Sequence, residues 1–120
     1  MNKNFLIQNG INYDEGVERL MGNKELYESL LIDFLNNFSF EEIKNAYQSK
    51  QYQKMYKLMH NLKGTSGSLC LVDLYEKSKE LTEALRLMNY SSLELLYTNT
   101  AKAYEDTISI IKSSYAYVNL

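Results

Sequence analysis

Apolar residues recur along this chain at intervals of three and four, the repeat of an amphipathic helix rather than of a strand. Tyr27, Leu31, Phe34 and Phe38 are spaced 4, 3 and 4, and Leu74, Ser78, Leu81, Leu85 and Met88 repeat 4, 3, 4 and 3. The pattern predicts a first helix over about 14–21, opening at Asp14 as its cap, carrying Val17, Leu20 and Met21, and stopping at Gly22. A longer helix follows over about 24–38. Ser39-Phe-Glu-Glu42 has the form of a capping box and predicts a short third helix to about residue 49, with Phe40, Ile43 and Tyr47 on one side. A fourth helix is expected over about 51–69 and a fifth over about 72–89. Ser91-Ser-Leu-Glu94 is a second capping box. It opens a last helix striped by Leu93, Leu96, Thr100, Ala103, Thr107 and Ile110, and the tail SSYAYVNL beyond about 112 is expected to fray. Short connections between such stripes favour antiparallel neighbours, so the expectation is one all-α domain over residues 1–120, packed as a bundle.

Composition strengthens that expectation and narrows the chemistry. The 120 residues contain no proline and are 45% hydrophobic and 23% charged, a globular balance with no obligatory helix breaker. A formal charge of −2 without long runs of either sign gives no electrostatic footprint for nucleic acid. No apolar stretch approaches the roughly 20 residues of a membrane span, and the start MNKNFLIQNG is too short in apolar residues for a signal peptide. With Cys70 as the sole cysteine, no internal disulfide forms, and a reducing, cytoplasmic setting is expected. Glycines at 10, 16, 22, 64 and 67 make none of the usual phosphate-cradling loops, so no ATP site of those kinds is expected. One histidine and one cysteine are too few for a soft-metal site, and no acidic cluster has calcium-loop spacing, so no metal or cofactor is expected on this chain.

One segment does not fit a plain bundle. HNLKGTSG, residues 60–67, holds the only histidine and two glycines in mid-helix. On a helical wheel Met55, Met59, Leu62, Ser66 and Leu69 form the core stripe. His60, Lys63, Gly64 and Gly67 stand at i, i+3, i+4 and i+7 on a second face, rotated by more than about 90° from the first. Each helical glycine costs roughly 1 kcal/mol relative to alanine, and two on one face suggest a close approach to the backbone. A neutral imidazole is a competent nucleophile near neutral pH. Lys63 lies about one turn away, where its ammonium can meet an anion attached to the ring. The conjunction fits a histidine that carries a phosphoryl group and hands it to a second protein. Taken singly, each feature has a plainer reading: a surface histidine, a solvated lysine, glycines that ease helix–helix packing, a buried and inert Cys70.

The segment His60-Asn-Leu-Lys63-Gly64-Thr-Ser-Gly67 resembles the phosphorylatable motif of histidine-containing phosphotransfer (HPt) domains. The opening GINYDEGVERLMGNKELYESLLIDFL (10–35) and KELTEALR (79–86) are similar to flanking helices of that family, so the resemblance covers about residues 10–112. It implies an up-down four-helix bundle with an additional short N-terminal helix and a short connecting helix. It implies that His60 is phosphoryl acceptor and donor, through Nε2 in the family's manner, and that Lys63 orients or neutralises the phosphoryl group. Gly64 and Gly67 would let a receiver domain sit close. The implied partners are the receiver domain of a hybrid histidine kinase and of a response regulator, with magnesium on the receiver, and the family's usual state is a monomer. Cys70 departs from the glycine common in the family. Tyr56 and Lys57 are the expected neighbours under a docked receiver, with part of the second helix.

Two other readings are open on residues alone. One is a helical adaptor that docks receivers through the same face without being phosphorylated. The other is a small hydrolase with His60 as general base, which would need a carboxylate from another helix, since residues 56, 57, 63 and 64 supply none. The dimerising domain of a sensor kinase is disfavoured, because Asn61 follows the histidine where that domain has an acidic residue, and the chain lacks proline.

Overall fold

The computed structural model describes residues 1–118, with side chains as far as Tyr115. Seven helices follow one another: α1 (Lys3–Gln8), α2 (Tyr13–Arg19), α3 (Lys24–Asn37), α4 (Glu41–Gln48), α5 (Tyr52–Ser68), α6 (Val72–Arg86) and α7 (Leu93–Val118). Among the described residues there is no strand, and the sole extended pairing is an isolated antiparallel bridge between Ile11 and Leu71. No helix among them is long and apolar enough to cross a membrane.

Asparagine, not serine, starts the early helices. Asn2, Asn12 and Asn23 each accept, through the side-chain carbonyl, an amide three residues on, from Phe5, Glu15 and Leu26, which satisfies one of the orphan donors of a helix start. Asp14 therefore lies inside α2 instead of capping it. The box expected at Ser39 does not form: α4 begins at Glu41 after Phe40, which has no side-chain cap to give, and the Ser39 hydroxyl accepts the Glu41 amide at 3.2 Å. Ser91 likewise turns its hydroxyl to Asn89 Oδ1 at 2.8 Å, and α7 starts two residues later.

Helix ends are made without breakers. At the close of α1, α2, α4, α5 and α6 the residue after the cap bonds back three positions, and the next amide bonds back five, as in Met21 N to Glu18 O and Gly22 N to Val17 O. This double closure puts one residue in the left-handed region. Gly10 does so at no cost, but Met21, Lys50, Cys70 and Met88 adopt φ of 54 to 57°. Met88 thus falls outside the stripe assigned to it and is 68% exposed.

The two ends of the chain contain what periodicity did not show. The helix α1 is short and buries Leu6 against α7. The expected fraying beyond 112 is not seen as far as the description extends. Helix α7 runs on through Ile111 and Ser114, both fully buried, and the Asn2 amide donates to the Ser114 carbonyl at 3.0 Å. Positions 119 and 120 of that tail lie outside the described residues.

Packing is most extensive between α5 and α6 and between α6 and α7. Helix α3 lies on α7, α4 on α5, and α2 on α3. The core is aliphatic at its centre, with Leu31, Met55, Met59, Leu62, Leu74 and Leu81 fully buried. Each contributes about 1.5–3 kcal/mol by leaving water. Towards α4 the core turns aromatic. Tyr47 stacks on Tyr97 at 3.9 Å and 7°, and Phe40 stacks on Tyr104 at 5.1 Å.

Candidate functional site

Helix α5 carries the site, and its far end is held by the N-terminal segment. Three carbonyls at its end and just beyond it find partners there. Tyr27 donates its hydroxyl to Leu69 O at 2.6 Å, the Asn12 amide donates to Cys70 O at 3.0 Å, and Arg19 Nη1 donates to Gly67 O at 2.8 Å. Burial pushes the Tyr27 hydroxyl's pKa well above its ordinary value, as expected where only the neutral form can donate. Gly16 lets this ring in: a Cβ there would stand 2.1 Å from Tyr27 Cε1. Helix α5 is therefore fixed along its axis by α2, α3 and the turn between α1 and α2.

The wheel drawn from sequence places its core stripe correctly. Met55, Met59, Leu62 and Ser66 are fully buried and Leu69 is nearly so. Ser66 turns its hydroxyl back on Leu62 O at 2.8 Å. The second face is open. His60 is exposed, and among the described residues no hydrogen bond or ion pair engages its imidazole. Its nearest aromatic neighbour is Tyr56, one turn back, with ring centroids 6.1 Å apart.

The two glycines part company. A Cβ at Gly64 would meet nothing within 4 Å, so this backbone is bare to solvent. At Gly67 the Cβ would lie 3.0 Å from Cδ1 and Cε1 of Tyr75. Gly67 makes room for a ring of α6 and hands its carbonyl to Arg19. Only Gly64 keeps the cleared backbone expected of both.

Lys63 is half-buried on the flank towards α6. There Glu83 and Arg86 form a bidentate pair, at 2.9 and 2.6 Å. The Arg86 bonds hold the Glu83 carboxyl below its usual range, with Lys63 adding to the effect. Arg86 also lines a groove with Tyr52, Tyr56, Lys57, Leu85 and Tyr90, where Tyr52 and Tyr90 pack at 4.4 Å. Tyr56 and Lys57 thus border the histidine on its N-terminal side.

A second groove runs between α3 and α5, lined by Leu30, Asp33, His60, Asn61, Gly64 and Thr65 among others. Asp33 is the carboxylate nearest in kind to what a general-base reading requires. It accepts from Asn37 Nδ2 at 2.5 Å and makes no hydrogen bond to His60. Sequence reasoning missed Asp33 and Arg86. A signal for the first was present: Leu26, Leu30, Asp33 and Asn37 are spaced 4, 3 and 4, a second stripe on α3 with two exposed leucines.

Cys70 is buried, and burial pushes its thiol up, which suppresses the reactive thiolate. Among the described residues no three His, Cys, Asp or Glu side chains converge as a metal site requires. No protein-family model matches this chain, and no curated protein or solved structure is similar to it at a level that carries an argument.

Proposed function

We propose that this chain is a phosphorelay intermediate of the HPt kind, with α3, α5, α6 and α7 as the four long helices of the bundle and α4 as the connecting helix. The observation that carries the reading is the face of α5: an exposed and unengaged imidazole, a lysine one turn on, and the bare backbone of Gly64 between grooves. In the step this implies, a lone pair of the neutral His60 ring attacks the phosphorus of an aspartyl phosphate on a receiver domain. The P–N bond forms, the P–O bond to the aspartate breaks, and the carboxylate leaves with the electron pair. The reverse sequence loads the aspartate of a second receiver. Lys63 offsets phosphoryl charge on the ring, and the receiver brings the magnesium. The chain acts as a carrier, not as an enzyme with its own turnover, and works as a cytoplasmic monomer.

Intact-mass measurement after incubation with a receiver domain, magnesium and a small phosphodonor tests this. Wild type gains one acid-labile phosphoryl group and His60→Gln gains none. Lys63→Ala is expected to slow transfer by about tenfold, roughly 1.4 kcal/mol of barrier, with less effect on docking. Docking of receivers without any phosphoryl gain would leave the adaptor reading in its place.

A further inference from the structure

The rim of the histidine is electrically divided. On the flank towards α6 stands Lys63, and Lys57, on the other side of the ring on the helical wheel, reaches the edge of the tyrosine-lined groove. Arg86 in the same groove is neutralised by Glu83, so the two lysines set the sign. On the flank towards α3 and α4 stand Asp33, in the groove that holds His60, and Glu42, in an adjoining recess with Asn61 and Leu58. Among the described residues none of these four charges is in an ion pair; the ion pairs present all involve other residues. Helix α5 itself has no acidic residue between Tyr52 and Ser68. Lys63 and Lys57 thus flank the nucleophilic ring, while Asp33 and Glu42 stand beyond it towards α3 and α4.

We infer that the partner of this face is a receiver with a bipolar docking surface, acidic opposite Lys57 and Lys63 and basic opposite Asp33 and Glu42, and that Asp33 is a specificity-determining residue. The inference rests on the receiver reading above. Rim charges of this kind steer encounter and fix register more than they add affinity, and their effect is screened by salt. A divided rim admits a partner in one orientation and penalises one turned half round, which would point the wrong side chain at His60. It also rejects receivers that are acidic throughout, by setting Asp33 against them.

The test uses isolated receiver domains charged with acetyl phosphate and magnesium, and the full chain as wild type, Asp33→Asn, Asp33→Lys and Lys57→Glu. The kcat/KM for phosphoryl arrival on His60 is read at low (about 20 mM) and high (about 0.5 M) ionic strength. Asp33 and Lys57 are exposed, and unchanged circular dichroism checks that folding is untouched. With the best receiver, Asp33→Lys and Lys57→Glu should each lower kcat/KM by about tenfold at low salt, mainly through KM, with Asp33→Asn in between. The deficit should shrink to about twofold at high salt. A faster Asp33→Lys protein would mean a uniformly acidic partner and overturn the inference, as would reversals that leave wild-type transfer unmoved or act independently of salt. If no receiver phosphorylates the wild type, the relay reading itself falls and this inference falls with it.

Discussion

Replacing Gly64 by alanine sets stability against function in a way the structure makes quantitative. The glycine is in the interior of α5 and exposed, and a Cβ would meet nothing within 4 Å. No strain therefore opposes the gain in helix propensity, about 1 kcal/mol. For 120 residues the unfolding entropy is roughly 0.25 kcal/mol/K, so the melting temperature should rise by about 4 °C. Gly67→Ala is the internal control. The propensity gain is the same, but its methyl stands 3.0 Å from two atoms of Tyr75, and displacing a packed ring cancels or reverses the benefit. Calorimetry on both variants, beside receiver-dependent phosphorylation of His60, completes the measurement. The expected result is a Gly64→Ala protein that is more stable and about tenfold slower in transfer, because one methyl now stands on the surface a partner must approach. No rise in melting temperature would refute the packing argument. A rise with transfer unchanged would refute the idea that the bare backbone serves docking.

Three further outcomes follow from the same geometry. Gly16→Ala should destabilise by about 1–3 kcal/mol, since its Cβ would lie 2.1 Å from Tyr27 Cε1 and that ring is tied to Leu69 O; urea denaturation reads it directly. Met88→Gly should stabilise by about 0.5–1 kcal/mol, because Met88 holds φ at 54°, where glycine bears no Cβ penalty; the urea midpoint should move up with an unchanged slope. Alkaline pH should unfold the protein through its buried phenols. Tyr13 is pushed up from 10.0 to about 12, first by burial and then by its bond to Glu28, and Tyr27 is raised likewise. The unfolded chain releases these protons near pH 10 while the fold retains them. The stability they contribute is complete below that value and lost as pH climbs from about 10 to 12. Dichroism across that window should show the loss, and Tyr13→Phe should make it shallower.

What the sequence disclosed depended on burial repeating with the helix period. Met55, Met59, Leu62, Ser66 and Leu69 are inside because α5 is long and covered on one side, so a wheel suffices to find them. The exposure of His60 follows from the same wheel. The short α1 offered no such repeat; with Leu6 as its single buried side chain, it exists because α7 is there to receive it. The far end of α7 was misjudged for a related reason. Ser114 counts as polar in a pattern, yet its hydroxyl bonds to Ile111 O at 2.6 Å and so enters the core without an unmet donor. The capping boxes failed because a serine three residues before a glutamate is a local option: Phe40 packs against the core, and Ser91 bonds to Asn89 instead. Gly67 could not be told from Gly64 in sequence, since the difference is the ring of Tyr75, eight residues on in another helix. Asp33 was hidden because a groove between two helices has no linear signature.

The bond from the Asn2 amide to the Ser114 carbonyl has a consequence for how this fold can be joined to others. Asn2 and Ser114 lie side by side, so the first helix of the described unit is joined to its last at one spot. A unit of that geometry can be spliced into a surface loop of an unrelated host without prising the loop apart. The same adjacency suits a circular rearrangement, with the old ends bridged by a short linker and new ones opened between α6 and α7. Linking the ends into a ring would remove loop-closure entropy from the unfolded chain, on the order of 4–5 kcal/mol for a closure of about 100 residues.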